Sequence, residues 1–314
     1  ARIADPDIAR QGGTDRPEVQ VAVGVLIRAD GAFLLTSRPA GKPYAGYWEF
    51  PGGKVESGED FKEALTLYKL SAEQGNAFAQ NNLGWMHYSG QGTAVNYKEA
   101  AKWFSLASDQ SSAYAQNNLG WMYLNGQGVA QDDKMAFKWF KLAAEQGYAV
   151  AQKNLGWLYA SGKGTTQDAK EAEKWYRLSA NQGFSIAQNS LGTMYYNGQG
   201  VSRDFNEAVK WFKLAADQGS ALGQKNLGVM YDMGHGVPQD FKQAVKWYTL
   251  SATQGYVYAQ YNLGFMYANG QGVAQDFNEA LYWYRLAAAQ NNALAINNLG
   301  SMFEDGQGVS PSKV

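Results

Sequence analysis

The fold is decided by a repeated stretch whose clearest copy, residues 113–147, reads AYAQNNLGWMYLNGQGVAQDDKMAFKWFKLAAEQG. Its dipeptide Leu119-Gly120 recurs every 36 residues along the chain. A fixed period of this size indicates an array of units, each of which buries its apolar face against its neighbours. The other copies of the dipeptide begin at Leu83, Leu155, Leu191, Leu227, Leu263 and Leu299.

Each unit predicts two helices. In the first helix, apolar residues recur at i, i+4, i+7 and i+8 from Ala115, which is one apolar stripe. Gly126 ends this helix, and Gly128 completes a tight loop. The second helix begins at a capping Asp or Asn and buries Trp139 and Phe140. The clearest caps are Asn96, Asp168, Asp204, Asp240 and Asp276, and the glutamates at capping-box spacing are Glu99, Glu171, Glu207 and Glu279.

The array begins with a lone second helix, Asp60 to Gln74, and ends with a lone first helix, Ala293 to Asp305. Fourteen helices are therefore expected. The Gly-x-Gly loops follow a helix, whereas a phosphate-binding loop precedes one, so these loops are interpreted as helix stops. The glycine of each Leu-Gly pair costs roughly 1 kcal/mol of helix propensity. This cost predicts a close approach of a neighbouring helix at that glycine.

The repeat resembles the Sel-one-like repeat, a relative of the tetratricopeptide repeat. The resemblance rests on the Ala-x3-Leu-Gly-x-Met-Tyr helix, the Gly-x-Gly-Val-x-x-Asp loop and the Ala-x-x-Trp-Phe/Tyr-x-Leu-Ala-Ala-x-Gln-Gly helix, and it covers residues 60–309. It implies an all-α fold: a right-handed superhelical solenoid of antiparallel helix pairs. It also implies a protein-interaction adaptor. Residues 310–314 are expected to be a frayed tail.

The segment before the repeats is of another kind. Val19 to Ile27 and Phe33 to Ser37 predict two short strands joined in a small β-hairpin, and residues 1–17 are expected to be a linker or disordered. The stretch that follows, Trp48 to Glu59, reads WEFPGGKVESGE and resembles the front half of a MutT-type Nudix hydrolase. The segment 18–59 is therefore interpreted as a truncated Nudix-like fragment. By resemblance, its vestigial nucleotide-site residues are Arg38, Phe50, Gly53 and Glu59.

The metal-binding half of the Nudix signature is missing. Leu67-Tyr68 stands at the Arg-Glu position, and Ser71-Ala72 stands at the Glu-Glu position. Those glutamates bind the magnesium that a pyrophosphohydrolase needs. We therefore predict no enzyme activity, no catalytic residues and no cofactor. The alternative is a MutT-type pyrophosphohydrolase, similar to 8-oxo-dGTP diphosphatase, with a repeat extension.

Composition excludes several classes of function. The net charge is −1, and no Lys/Arg-rich stretch stands out, so a nucleic-acid partner is not expected. No membrane span is expected, because the longest apolar run, Val21 to Ile27, is too short. The chain has no cysteine and only two histidines, His87 and His235, so no metal site is expected. The compartment stays open, with the cytoplasm preferred and export possible.

The candidate binding residues lie on the first helices. Phe78, Asn81, Trp85 and Tyr88 stand at i, i+3, i+7 and i+10, away from the apolar stripe of Leu83. We call this face, with its equivalents in later repeats, the first-helix face. By the resemblance it lines a concave groove, in which the aromatics would anchor a peptide or partner protein, and binding should depend only weakly on salt. Later repeats add Tyr114, Asn117, Trp121, Lys153, Trp157, Tyr258, Tyr261 and Phe265.

Overall fold

The structure is a computed structural model that describes residues 26–28, 31–33, 36–37, 48–49 and 59–308. The described residues contain four short strands and fourteen helices. The strands are β1 (Leu26–Arg28), β2 (Gly31–Phe33), β3 (Thr36–Ser37) and β4 (Trp48–Glu49). The helices are α1 (Glu59–Glu73), α2 (Ala77–Ser89), α3 (Tyr97–Asp109), α4 (Ala113–Asn125), α5 (Asp133–Glu145), α6 (Ala149–Ser161), α7 (Ala169–Asn181), α8 (Ser185–Asn197), α9 (Phe205–Asp217), α10 (Ala221–Met233), α11 (Phe241–Thr253), α12 (Val257–Asn269), α13 (Phe277–Ala289) and α14 (Ala293–Glu304).

The chain divides into two compact units. The first comprises Ala1–Ala115 and Gln127–Val129, and the second comprises Gln116–Gly126 and Ala130–Val314. In the first unit β1 pairs with β2 and β3 pairs with β4, both antiparallel. The helical part of this unit packs α1, α2 and α3 around Ala72, Leu83 and Trp103. All strands of the described residues lie before residue 59, as the sequence predicts.

The second unit is a helical repeat stack in which each first helix is followed by an antiparallel second helix. Its core recurs with the repeat. Around α7 and α8 it contains Ala172, Tyr176, Ala187 and Leu191, and the cores of later helix pairs have equivalent residues. The predicted all-α repeat architecture is therefore confirmed. Of the second-helix tryptophans, Trp103, Trp175, Trp211 and Trp283 are buried, and Trp139 and Trp247 are half-buried.

The glycines have the roles that their positions predict. Gly156 in the middle of α6 lies against the Tyr176 ring, and a Cβ atom there would come within 2.8 Å of Tyr176 Cδ1. Gly162 ends α6 in the left-handed conformation, with φ 71°. Gly164, also at positive φ, lies so close to the Asp133 carbonyl that a Cβ atom would collide with it. The Gly-x-Gly loop is thus a helix stop followed by a close backbone approach.

The second helices are capped as expected, but in residues 59–308 no glutamate at capping-box spacing accepts from the N–H group of its cap residue. Asp168 accepts hydrogen bonds from the Lys170 and Glu171 backbone N–H groups at 2.9 and 3.1 Å. The Asp168 N–H itself donates to the Tyr159 carbonyl of the preceding helix. Because that carbonyl already satisfies the cap N–H, the Glu171 carboxylate accepts instead from Trp175 Nε1 and Lys174 Nζ.

Candidate functional site: the first-helix face

In the first unit, the predicted binding residues on α2 differ in how far their side chains are exposed. Phe78 is 64% exposed, whereas Asn81, Trp85 and Tyr88 are half-buried. The Trp85 and Tyr88 rings stack with 5.4 Å between centroids. The Tyr88 hydroxyl donates to Gln127 Oε1 at 2.9 Å, so Tyr88 is hydrogen-bonded to the loop between α4 and α5. Phe78 therefore offers the largest free apolar surface of this set. Tyr114, the last predicted residue of this unit, is also exposed.

In the second unit, two tryptophans stand out from the helix stack. Trp121 on α4 is 36% exposed and packs edge-on against Phe140, with 5.7 Å between centroids. The Lys153 ammonium lies 5.8 Å from the Trp121 ring centroid. Trp157 on α6 is 39% exposed, with the Lys163 ammonium 5.8 Å from its ring. Both indoles are therefore partly exposed, with a lysine ammonium near each ring.

Asn117 is not available in the way the sequence suggests. Its side chain is buried, and its Oδ1 atom accepts a hydrogen bond from Asn154 Nδ2 at 2.9 Å. Asn154 Oδ1 in turn accepts from Lys153 Nζ at 2.6 Å. Within the fold, the next repeat therefore already supplies a partner for the Asn117 side chain.

A second aromatic group lies on α12. Tyr258 and Phe265 are exposed, and Tyr261 is half-buried beside Tyr284, with 5.8 Å between ring centroids. Tyr258 also lies 6.0 Å from Tyr256. The exposed aromatics among the predicted binding residues of the second unit therefore fall in two groups, one on α4 and α6 and one on α12.

The tryptophan position of this face is not required for packing. The residues that take the place of Trp121 and Trp157 in the next two repeats are Thr193 and Val229, which are half-buried. Leu155, which precedes Trp157 on the packing side of α6, is fully buried, as are its equivalents in those repeats. The fold therefore tolerates a small side chain where the exposed tryptophans stand.

Two charged groups on α10 were not singled out from the sequence. Asp232 accepts a hydrogen bond at 3.1 Å from the hydroxyl of the fully buried Tyr248, and desolvation raises the pKa of Asp232. Desolvation lowers the pKa of the half-buried Lys225. Their positions in the repeat could have indicated them, because Lys225 corresponds to Lys153 and Asp232 corresponds to Tyr88 of the first-helix face.

The Nudix-like residues lie mostly outside the described residues. Arg38, Phe50 and Gly53 are among those not described, and Glu59 opens α1 without a described side chain. The helix that should carry the remaining metal ligands belongs to the repeat core instead. Ala72, at one Glu-Glu position, packs with Ala79, Leu83 and Trp103.

Across the described part of the chain, no three His, Asp or Glu residues are grouped so that they could hold a metal. His235 stacks on the Phe205 ring at 4.4 Å, and burial lowers the pKa of His87. Both histidines are thus packed among neighbouring side chains. No helix of the described residues has the length and apolar character to span a membrane.

Known sequences match both parts of the chain. The profile of the Sel1 repeat matches seven consecutive segments from residue 77 to residue 314, and the profile of the NUDIX domain matches residues 18–66. Residues 77–314 are more than half of the chain. The NUDIX match includes the start of α1.

Two solved structures share the repeat fold. One is a protective antigen of uropathogenic Escherichia coli strains that displays an SLR fold, with 39% identity and a TM-score of 0.72 over 77% of this chain and 52% of that chain. This chain thus spans about half of that protein's length. The other is a Sel1 repeat protein from Oxalobacter formigenes, with 33% identity and a TM-score of 0.68 over 73% of this chain and 92% of that chain.

The N-terminal segment is similar to a curated hydrolase. It is 51% identical over 43 residues to a CTP pyrophosphohydrolase of Escherichia coli strain K12, which is 14% of this chain and 32% of that protein. The chain therefore spans about a third of the length of this relative. The fusion of a Nudix-like segment to a repeat array agrees with the interpretation of the sequence.

Proposed function

The chain belongs to the Sel1 repeat family, and from this premise we propose that it is a scaffold that binds another protein through the first-helix face. The observation that carries the proposal is the pair Trp121 and Trp157, which are exposed at a position where Thr193 and Val229 also fit. Tryptophan is among the residues most often found as binding anchors in interfaces. The proposed ligand is an extended peptide or a partner helix.

The anchors differ between the two units. In the first unit they are Phe78, Trp85 and Tyr114, and in the second unit they are Trp121 and Trp157, with the α12 aromatics Tyr258, Tyr261 and Phe265 as a further patch. We also propose the right-handed superhelical path that the family resemblance implies, with the first-helix face on its inner side. The proposed segment boundaries are 1–17, 18–59, 60–309 and 310–314.

The test compares exposed residues of the first helices with exposed residues of the second helices. A random-peptide display library is selected on the full chain, on a Trp121→Ala, Trp157→Ala double variant, and on a Leu142→Ala, Leu178→Ala control. The control leucines are exposed on the second helices. Enriched peptides are expected to bind the tryptophan variant at least about tenfold more weakly and the leucine control normally. Full binding to the tryptophan variant, with unchanged thermal unfolding, would contradict the proposal.

The second candidate is a nucleotide pyrophosphohydrolase, which the NUDIX match over residues 18–66 keeps open. We expect no turnover, because Leu67, Tyr68, Ser71 and Ala72 stand where the metal-binding half of the signature should be. The assay incubates the full chain with Mg²⁺ and a panel of nucleoside triphosphates that includes CTP and 8-oxo-dGTP. Phosphate or pyrophosphate release that disappears in Glu59→Gln would overturn this expectation.

A further inference from the structure

Two lysines occupy the same position of the first-helix face, two repeats apart. Lys153 lies in Gln152-Lys-Asn-Leu-Gly156 and Lys225 in Gln224-Lys-Asn-Leu-Gly228. Both side chains are half-buried in the second unit. Because the local sequence is identical, the contacts of the two ammonium groups can be compared directly.

Lys153 has protein partners. Its Nζ atom donates to Asn154 Oδ1 at 2.6 Å and lies 5.8 Å from the centre of the Trp121 ring. The hydrogen bond and the ring both compensate for water that the ammonium loses on burial. The charge of Lys153 is therefore satisfied within the fold.

Lys225 lacks these partners. Asn226 makes the equivalent bond to the preceding repeat, donating from Nδ2 to Asn189 Oδ1 at 2.6 Å, but no acceptor meets Lys225 Nζ among residues 59–308. Thr193 stands where Trp121 stands beside Lys153, so the aromatic ring is also missing. Its lowered pKa has desolvation as its cause. Lys225 is thus a half-buried cation whose lost hydration nothing in the described fold replaces.

The first helices around Lys225 supply no free carboxylate. Helices α4, α6, α8 and α12 contain no Asp or Glu at all. On α10 the one acid, Asp232, already accepts the Tyr248 hydroxyl. The second helices differ, because their lysines form ion pairs with nearby acids, such as Lys210 with Glu207 at 3.2 Å. The first-helix face of this unit therefore has an unmatched positive charge at Lys225.

We propose that Lys225 binds the side-chain carboxylate of an Asp or Glu residue in a peptide lying on the first-helix face. This deepens the proposed function and rests on it. The α12 aromatics, one repeat further on, would take an apolar residue of the same peptide, with Tyr258 and Phe265 as its exposed contacts. A half-buried ion pair of this kind is only weakly screened, so the weak salt dependence expected from the sequence still holds.

The main test is a display selection on the full chain. The library consists of random peptides fused to the coat protein through their C-termini, so that any selected carboxylate belongs to a side chain. It is selected on the unmodified protein, on Lys225→Gln and on Lys170→Gln, in which an exposed lysine of α7 is changed instead. We expect Asp or Glu to be enriched by the unmodified protein and by Lys170→Gln, but not by Lys225→Gln.

An acidic preference that persists in Lys225→Gln would overturn the inference, and so would enriched peptides without acidic residues. If such peptides still lose binding in Trp121→Ala, Trp157→Ala, the proposed scaffold function stands while this inference fails. If no peptide is enriched above uncoated support, both fail. For one selected peptide, its Glu→Gln or Asp→Asn analogue should bind about 10- to 100-fold more weakly to the unmodified chain and equally to Lys225→Gln.

A stability measurement tests whether Lys225 has a purely structural role. Lys225→Met should raise the midpoint of thermal unfolding or leave it unchanged, because it removes a cation without partners. Lys153→Met is the matched comparison and should lower the midpoint, since Lys153 loses its contacts with Asn154 and Trp121. An equal loss of stability in both variants would overturn the inference.

Discussion

Individual glycines in this protein differ in how closely a neighbouring helix packs against them. A Cβ atom at Gly156 would come within 2.8 Å of Tyr176 Cδ1, whereas nothing lies within 4 Å of one at Gly300 on α14. The difference arises because no second helix follows α14 in the described chain. The same Leu-Gly dipeptide is therefore required by packing at Gly156 and only repeated at Gly300.

We predict opposite effects of alanine at these two glycines. Gly156→Ala should lower the free energy of unfolding, because overpacking costs about 1–3 kcal/mol and the gain in helix propensity returns at most about 1 kcal/mol. Gly300→Ala should gain up to about 1 kcal/mol. Denaturant titrations of both variants measure the difference. Equal stabilisation by both would show that the Tyr176 ring does not limit this position.

Trp211 tests the packing role of the second-helix tryptophans. It is buried in the cluster of Tyr176, Ala187 and Leu191. Trp211→Ala should cost about 3–5 kcal/mol, as other large deletions in cores do. Trp247→Ala should cost less, because Trp247 is half-buried. Chemical denaturation checks both values, and a loss below about 1 kcal/mol for Trp211→Ala would exclude it from the core.

At the scale of the element, side-chain amides join successive helices. Gln182, which caps the C-terminus of α7, donates to Gln152 Oε1 of α6 at 2.7 Å. Gln152 Nε2 donates in turn to the Ala144 carbonyl at the end of α5. The same relay recurs at Gln80, Gln188, Gln224 and Gln260, for example from Gln218 to Gln188 at 2.7 Å. Each of these buried glutamines therefore links three consecutive helices.

The N-cap of α7 gives a prediction at this scale. Asp168→Ala should lower the free energy of unfolding by about 1 kcal/mol, because the Lys170 and Glu171 N–H groups lose their acceptor. Asp168→Ser is the control and should lose little, since a serine oxygen can accept the same bonds. Thermal or chemical unfolding of the full chain compares the two. Equal losses would mean that the cap oxygen is not what stabilises α7.

At the scale of the whole molecule, buried tyrosines make stability sensitive to alkaline pH. Desolvation raises the pKa of Tyr176 and of Tyr284 to about 12, from an ordinary value of 10.0. Between these values the unfolded chain releases a proton that the folded chain retains. The contribution is therefore complete below pH 10 and is lost as the pH rises towards 12.

We predict that the free energy of unfolding falls above pH 10, by up to about 1.4 kcal/mol per pH unit for each such tyrosine. Tyr176→Phe and Tyr284→Phe should each reduce this slope, and the double variant should reduce it by the sum. Denaturant unfolding at several pH values between 9 and 12 provides the measurement. A slope that is unchanged in both variants would refute the assignment.

The sequence by itself determined the repeat, its two helices, their limits and the fold class. These follow from local signals: the 36-residue period, the capping residues such as Asp168, and the glycines such as Gly162 that need positive φ. Helical periodicity also separated Trp121 and Trp157 from the packing stripe of Leu119 and Leu155, and both tryptophans are partly exposed in the structure.

Only the tertiary structure decided which polar residues are free. Asn117 accepts a hydrogen bond from Asn154 of the next repeat, and the Glu171 carboxylate accepts from Trp175 and Lys174. Lys225 has no such partner, although Lys153, which has the same local sequence, donates to Asn154. The Asn117–Asn154 bond joins two repeats, and the Trp121 ring beside Lys153 belongs to the preceding repeat, so no period within one helix specifies these contacts. Burial then sets how much each unpaired charge costs, and that quantity exists only in the packed stack.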